Sequence, residues 1–340
     1  MSNTSLNELG EFGLIEHLTK NNETGNITTV LSVGDDAAVI DHFGKQTVVS
    51  SDLLIEGIHF DLVYTPLKYL GFKAVAVNIS DIYAMNALPT QIIVNIAVSN
   101  KFTVENISEI YEGIYEACNE YNVDLVGGDT SSSKTGLILS LTAIGEVTPD
   151  NFVTRNGAHV NDLICLTGNL GAAYMGLNLL EREKSIYLAK PEIQPDYQDF
   201  RYILQRFLKP LPQVSIIEYF HKEQIIPSAL IDISDGLSSD LFHICNRSNV
   251  GCKIYEDKIP IDQETKRAAA MFNIDPLTCA MHGGEDYELL FCLPQKYFKQ
   301  IEHHPNISII GFVEPLDKGR NLITKSNKII PLTAQGWKHL

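Results

Sequence analysis

The run PLKYLGFKAVAVNISDIYAMNA, residues 66–87, decides the fold. Apolar residues occupy almost its whole circumference, and Pro66 stands near its start, so the pattern predicts a buried helix. The segments on either side have the other period. QTVVSSDLLI (46–55) and QIIVNIAVS (91–99) are rich in β-branched residues and predict strands, as does ITTVLSV (27–33). TVENISEIYEGIYEACNEYN (103–122) returns to helical spacing, with Ile107, Ile110, Tyr111, Ile114 and Cys118 on one face. DLVGGDTSS (124–132) and GLILSLTAIGEV (136–147) predict a short strand and then a long one.

Turn residues cluster in VTPDNFVTRNGAHVND (147–162), and the alternation then restarts. Strand DLICLTG, helix NLGAAYMGLNLLERE, helix QVSIIEYFHKE, strand SALIDIS, helix GLSSDLFHICNRS and strands CKIYEDKI and YELLFCL follow. The tail alternates ISIIGFVE, NLITKS and KIIPL, and the polar stretch 182–200 is expected to be a loop or insertion. The prediction is an α/β (α+β) protein of two units, 1–150 and 151–340, with no short-period repeat.

The chain has 340 residues and a formal net charge of −16, which argues against a nucleic-acid partner because phosphate backbones need a basic face. Anionic small substrates are not excluded, since bound cations invert a local field. None of the six cysteines forms a C-x-x-C pair, and small buried thiols in a reducing compartment are expected. The first twenty residues lack a basic segment followed by an apolar core, and no run approaches a membrane span. A cytoplasmic protein is the expectation.

Most of the 42 acidic residues belong to solvated surface. The informative ones are expected at strand ends, in apolar or glycine-rich settings: Asp35 and Asp36 in SVGDDAAVI, Asp52 in VVSSDLL, Asp81 in VNISDIYAM, Asp129 in VGGDTSS, Asp232 and Asp235 in IDISDGLSSD, and Glu285, Asp286 and Glu288 in GGEDYELL. Two adjacent carboxylates in an apolar run are costly unless something positive joins them. Asp81 either caps a second helix after a break or is a carboxylate held inside for a ligand; Asn78, three residues earlier, shares its face. Asp129 is either a turn cap or a ligand reached past two glycines. IDISDG fails as a calcium loop, having no D-x-[DN]-x-[DN]-G spacing.

Oxygen-rich acid sets with few His or Cys suit Mg²⁺, which shares its shell with phosphates. A cluster of such ions holding a polyphosphate would be the positive partner of Asp35 and Asp36. There is no Walker loop, no G-x-G-x-x-G, no H-R-D or D-F-G, no G-x-S-x-G and no H-E-x-x-H. The glycines of LTGNLGAAYMG offer amides to an anion or serve tight strand–helix packing. Arg155 is either a phosphate contact or a solvated linker arginine, and His59, after Gly57, is either structural or part of a loop over a pocket.

The motifs GDDAAV, SSDLLIEGIHF, AVNISDIYAM, GGDTSS, VTRNGA, IDISDGLSSDL and GGEDYELLF, in this order, resemble the thiamine-monophosphate kinase family. That family lies in the superfamily of aminoimidazole ribonucleotide synthetase and selenophosphate synthetase. The likeness runs from about residue 10 to the C-terminus. It implies a two-domain aminoimidazole ribonucleotide synthetase-like fold whose N-terminal sheet pairs across a homodimer, with ATP and several Mg²⁺ in the cleft between the domains. It implies metal ligands Asp36, Ser50 or Ser51, Asp52, Asp81, Asp129, Asp232 and Asp235. ATP contacts would be Tyr111, Gly128, Asp129, Arg155 and Ser234, and thiamine monophosphate would meet His59, Glu285 and Trp337. The implied reaction is direct in-line transfer without a covalent enzyme nucleophile. Where selenophosphate synthetases carry a reactive N-terminal Cys, no cysteine here precedes Cys118. Other readings are an aminoimidazole ribonucleotide synthetase-like enzyme, a two-metal phosphohydrolase, which usually adds several His ligands, and a calcium-binding module.

Overall fold

The computed structural model describes residues 17–31, 39–40, 43–195 and 197–333. The chain divides at residue 150 into two compact units, with the short segment Tyr83–Asn86 counted with the second.

In the first unit, strands β1 (Thr29–Leu31) and β2 (Val39–Ile40) form a small pair. A four-stranded sheet follows, ordered β3 (Gln46–Ile55), β6 (Ile138–Val147), β4 (Leu88–Val98), β5 (Asp124–Ser132). Its pairs are antiparallel except β4 with β5, which is parallel, as the intervening crossover helix requires. Helix α1 (Leu67–Tyr83) is the opening run 66–87, and its side chains from Leu70 to Ser80 are buried without a break. It is continuous through Asp81, so no second helix starts there. Helix α2 (Val104–Tyr121) begins where Thr103 and Asn106 exchange hydrogen bonds in a capping box. It ends at Asn122, whose φ of 55° supplies the left-handed stop.

The two helices cross backbone to backbone. A Cβ on Gly71 would lie 1.9 Å from the Ile110 carbonyl oxygen, and one on Gly113 would lie 1.8 Å from that of Lys68. Side-chain alternation then gives the sheet two characters. Ile92, Val94 and Ile96 of β4 and Leu139, Leu141 and Ala143 of β6 are buried on one face, with Leu54 of β3. The other face is open: Val49 and Leu53 are 60% and 48% exposed.

The second unit is a seven-stranded sheet ordered β13 (Ile329–Pro331), β12 (Arg320–Ile323), β9 (Gly251–Tyr255), β11 (Ile307–Glu314), β7 (Leu163–Thr167), β10 (Leu289–Leu293), β8 (Ala229–Asp232). Only β12 with β9 runs parallel. The helices are α3 (Ala172–Ala189), α4 (Arg201–Leu208), α5 (Val214–Glu223), α6 (Leu237–Ser248), α7 (Gln263–Met271), α8 (Pro276–His282) and a last turn, α9 (Phe298–Ile301). The 182–200 region is therefore not simply a loop: α3 continues to Ala189 through Arg182, Glu183, Lys184 and Leu188, residues of good helix propensity. A core of Ile164, Leu166, Ile231, Leu241, Ile254 and Leu290 lies between sheet and helices. All six cysteines are buried and free. Among the described residues no helix is long and apolar enough to cross a membrane.

Candidate functional site

In the first unit β3, which carries Asp52, and α1, which carries Asp81, are joined by two hydrogen bonds. Ser50 and Asp52 alternate onto the helix side of β3. The Ser50 hydroxyl donates to Asp81 Oδ2. The Asp52 backbone N–H donates to Asn78 Oδ1 at 3.0 Å, and Asn78 Nδ2 donates to the Ala74 carbonyl at 2.9 Å. Asn78 is fully buried and Asp81 half-buried, so one turn of α1 orders two consecutive positions of that face of β3. Ser51 faces the other way, its hydroxyl donating to the Leu141 carbonyl at 2.9 Å and lying 3.0 Å from Thr142 Oγ1. Ser50 is thus the serine beside Asp81. Asp52 stands inside a strand and Asp81 in the last turn of a helix, not at strand ends as expected.

A cavity of about 40 Å³ opens on β5 and α2, lined by Leu18, Thr19, Tyr111, Leu125, Gly127, Gly128, Asp129 and Thr130. It collects Tyr111, Gly128 and Asp129 from the predicted nucleotide contacts. The two glycines have separate jobs. A Cβ on Gly128 would lie 1.9 Å from the Val94 carbonyl oxygen, so Gly128 permits the close parallel pairing of β5 with β4; a Cβ on Gly127 would meet nothing within 4 Å. Asp129 is exposed, and burial pushes the Tyr111 phenol up, keeping it a neutral hydroxyl. Leu18 and Thr19 escaped the sequence reading. They are fixed by Tyr115 Oη donating to the Leu18 carbonyl at 2.5 Å and by Asn22 Nδ2 donating to the Leu125 carbonyl at 2.8 Å, long-range contacts without a local pattern.

The loop after β3 holds His59. The Ile55 N–H donates to His59 Nδ1 at 3.0 Å, which leaves the ring proton of the neutral imidazole on Nε2.

In the second unit, Asp232 ends the edge strand β8 and is 3% exposed. The chain continues through exposed Ser234 and half-buried Asp235 into α6. Asp240, on α6, accepts a hydrogen bond from the Asp235 N–H at 3.3 Å. Single carboxylate or imidazole atoms of Asp235, Asp240 and His243 all come within 4.8 Å of one another, a grouping able to hold a metal ion. Burial raises the Asp240 carboxyl well above the usual carboxylate range, and the charges of Asp232 and Asp235 push it further, opposed by the Asp235 amide and Arg155. Arg155 is exposed, yet close enough for its charge to act on the Asp240 carboxyl. Asp240 and His243 went unnoticed in the sequence; their i, i+3 spacing on one helix was the available signal.

GGEDYELL divides its labour. The Glu285 N–H donates to the Ser234 carbonyl at 2.8 Å and the Tyr287 N–H to the Ile233 carbonyl at 2.9 Å, so this segment extends β10 alongside IDISDG. Asp286 is fully buried and accepts from the Gly171 and Ala173 amides at 2.7 and 3.3 Å, at the start of α3. The anion served by the glycines of LTGNLGAAYMG is therefore the protein's own. Glu288 accepts from Arg206 Nη2 at 2.8 Å and from Thr167 Oγ1 at 2.6 Å. Of the three acids only Glu285 is half-buried; Asp286 and Glu288 belong to the core. Asp35, Asp36 and Trp337 lie outside the described residues.

A mixed α/β chain of two units, with acid motifs on both, is the architecture of the AIR synthase-like class, and residues 34–147 match the family model of the AIR synthase related protein, N-terminal domain. Relatives extend the match to the whole chain. It is 33% identical over 335 residues to the thiamine-monophosphate kinase of Aquifex aeolicus, covering 98% of this chain and 99% of that one. It is 32% identical over 340 residues to that of Bacillus subtilis, covering 97% and 99%. A solved structure of AaThiL complexed with AMPPCP and TMP superposes with a TM-score of 0.75 at 31% identity, covering 100% of both chains. The hydrogenase maturation protein HypE shares the fold alone, with a TM-score of 0.74 at 18% identity over 95% of this chain and 98% of that one. The chain belongs to the thiamine-monophosphate kinase family.

Proposed function

We propose that this chain transfers the γ-phosphoryl group of ATP to thiamine monophosphate, giving thiamine diphosphate and ADP. The observation that carries the reading is its likeness, end to end, to a kinase solved with AMPPCP and TMP. The donor chemistry supports it. Asp52, Asp81 and Ser50 in the first unit, and Asp232, Asp235 and Asp240 in the second, are hard oxygen donors, and the six thiols are buried away in the core.

Asp36, Ser50, Asp52, Asp81, Asp129, Asp232 and Asp235 are the residues proposed to hold Mg²⁺; Ser51, turned to the Leu141 carbonyl on the opposite face, is left out of the set. When bound, the ions neutralise and orient the phosphates of both substrates. Tyr111, Gly128, Asp129, Arg155 and Ser234 bind ATP in this proposal, with residues 1–150 as the ATP, Mg²⁺ and dimerisation domain. His59, Glu285 and Trp337 bind the acceptor. Nε2–H of His59 is a donor suited to a phosphate oxygen. The attacking group is a phosphate oxygen of the acceptor, with a second pKa near 6, so it is ionised at neutral pH and no strong general base is needed. The side chains then position the donor and acceptor in line and offset their repulsion.

The discriminating experiment is incubation with ATP, Mg²⁺ and thiamine monophosphate. Thiamine diphosphate plus ADP is expected; free phosphate alone would make the chain a hydrolase, and no turnover a binding module. In the same assay His59→Ala is expected to raise the acceptor KM about tenfold, the loss of one hydrogen bond to a charged group, with the ATP KM within about twofold. A selective rise in the ATP KM would move His59 out of the acceptor pocket.

The open face of the first sheet is proposed to pair with a second copy. Val49 and Leu53 are exposed there, beside half-exposed Ile93, Ile138 and Ile144. Leu53→Asp is expected to convert a dimer to a monomer in sedimentation; a monomeric parent chain would refute the pairing.

A further inference from the structure

We propose that Tyr287 is a positioning residue for the acceptor, acting through Glu285. This rests on the reading of Glu285 as an acceptor contact. Tyr287 Oη donates to Glu285 Oε1 at 2.9 Å. The phenol is 7% exposed, so its body is packed while its hydroxyl reaches a half-buried carboxylate.

The backbone brings about this meeting of residues two apart. Glu285 and Tyr287 have φ of 60° and 51°, left-handed values that side chains other than glycine seldom adopt. Both conformations are held by surrounding bonds. The two amides are tied to Ser234 and Ile233, the Asp286 carboxylate is taken by the α3 amides, and the Asp286 carbonyl accepts from Arg206 Nη2 at 2.5 Å. A backbone strained in this way and locked by its neighbours is characteristic of binding sites. It directs Asp286 to the core and brings Glu285 and Tyr287 to each other.

A glutamate side chain is flexible, and ordering it on binding costs rotamer entropy. The phenol orders it beforehand by fixing one oxygen, so the carboxylate is already set to accept from an N–H donor or face a cationic ring of the acceptor. The same Glu285 amide is bonded to Ser234, a proposed ATP contact, so the strap spaces the acceptor contact from the nucleotide loop.

Tyr287→Phe keeps the ring and removes only the hydroxyl. With the full-length chain, ATP and thiamine monophosphate, the acceptor KM is expected to rise about fivefold, with kcat, the ATP KM and Tm little changed. In a Glu285→Ala background the same substitution is expected to change the acceptor kcat/KM by less than about 1.5-fold, because the carboxylate it acts through is gone. An equal drop in both backgrounds, or no rise in KM in the parent, overturns the proposal. If the parent chain makes no thiamine diphosphate, the functional reading fails and this one falls with it. If the parent is active and Tyr287→Phe behaves like it, only the positioning role fails.

Discussion

Asp81→Asn is expected to lower kcat by about a hundredfold to a thousandfold at saturating Mg²⁺, the scale for removing one preorganised electrostatic contact in a phosphoryl-transfer site. Stability should change by less than about 1 kcal/mol, since the amide oxygen still accepts the Ser50 hydroxyl and the half-buried side chain keeps its volume. What is lost is charge: a carboxylate suits a divalent cation and an amide far less so. The separation of rate from stability makes the result decisive. If Asp81 were only a structural acceptor, asparagine would serve nearly as well, and turnover close to that of the parent would remove Asp81 from the proposed metal set. Asn78 provides the contrast on the same face of α1: it is fully buried, binds the Asp52 and Ala74 backbones and is expected to govern folding of that turn.

Periodic features were legible in the sequence. QTVVSSDLLI is β3 residue for residue, and the apolar run 66–87 is α1 up to Tyr83. Local chemistry of this kind is written in consecutive residues. The helices α4, α7 and α8 have no counterpart in the expected element order: their eight, nine and seven residues are too short for a pattern to set a helix apart, and the side-chain caps that open α7 and α8, Asp262 and Asp275, are single residues. The 182–200 stretch reads as a loop by its polar composition, yet its first residues, Arg182, Glu183, Lys184 and Leu188 among them, favour helix, and α3 runs on to Ala189.

The site was legible as motifs but not as roles. GGEDYE shows three acids with no means of ranking them. The ranking comes from partners far away in sequence: Gly171 and Ala173 for Asp286, Thr167 and Arg206 for Glu288. Ser50 and Ser51 likewise could not be told apart until strand alternation set one against Asp81 and turned the other to Leu141. Asp240 was hidden by its place inside an amphipathic helix, where an acid ordinarily faces water.

The distant partner also sets the largest expected stability effect, at Arg206. This arginine is 8% exposed and serves two buried acids, donating to the Glu288 carboxylate and to the Asp286 carbonyl. Arg206→Met should cost about 3–5 kcal/mol at pH 8, because it leaves buried carboxyls without their cation. The pH dependence follows from Asp286, whose carboxyl is pushed up to about 7 by burial, with Arg206 and the α3 amides opposing the shift. Its native form therefore holds a proton that the unfolded chain has already released, so its contribution to stability falls as pH rises from about 4 towards 7. Burial raises Glu288 as well, again against Arg206. Removing the guanidinium takes away a lowering influence on both groups, carries their native pKa values higher and extends the unfavourable window upward. At pH 5 the Asp286 carboxyl of the variant keeps its proton, and the raised Glu288 carboxyl moves in the same direction, so the deficit is smaller and owes more to lost hydrogen bonds. At pH 8 the variant must hold protons against the solvent or bury unpaired charge, and the deficit is larger. Urea unfolding of parent and variant at the two pH values measures this directly, and a deficit equal at both, or greater at pH 5, would show that Arg206 stabilises the core by packing and not by charge.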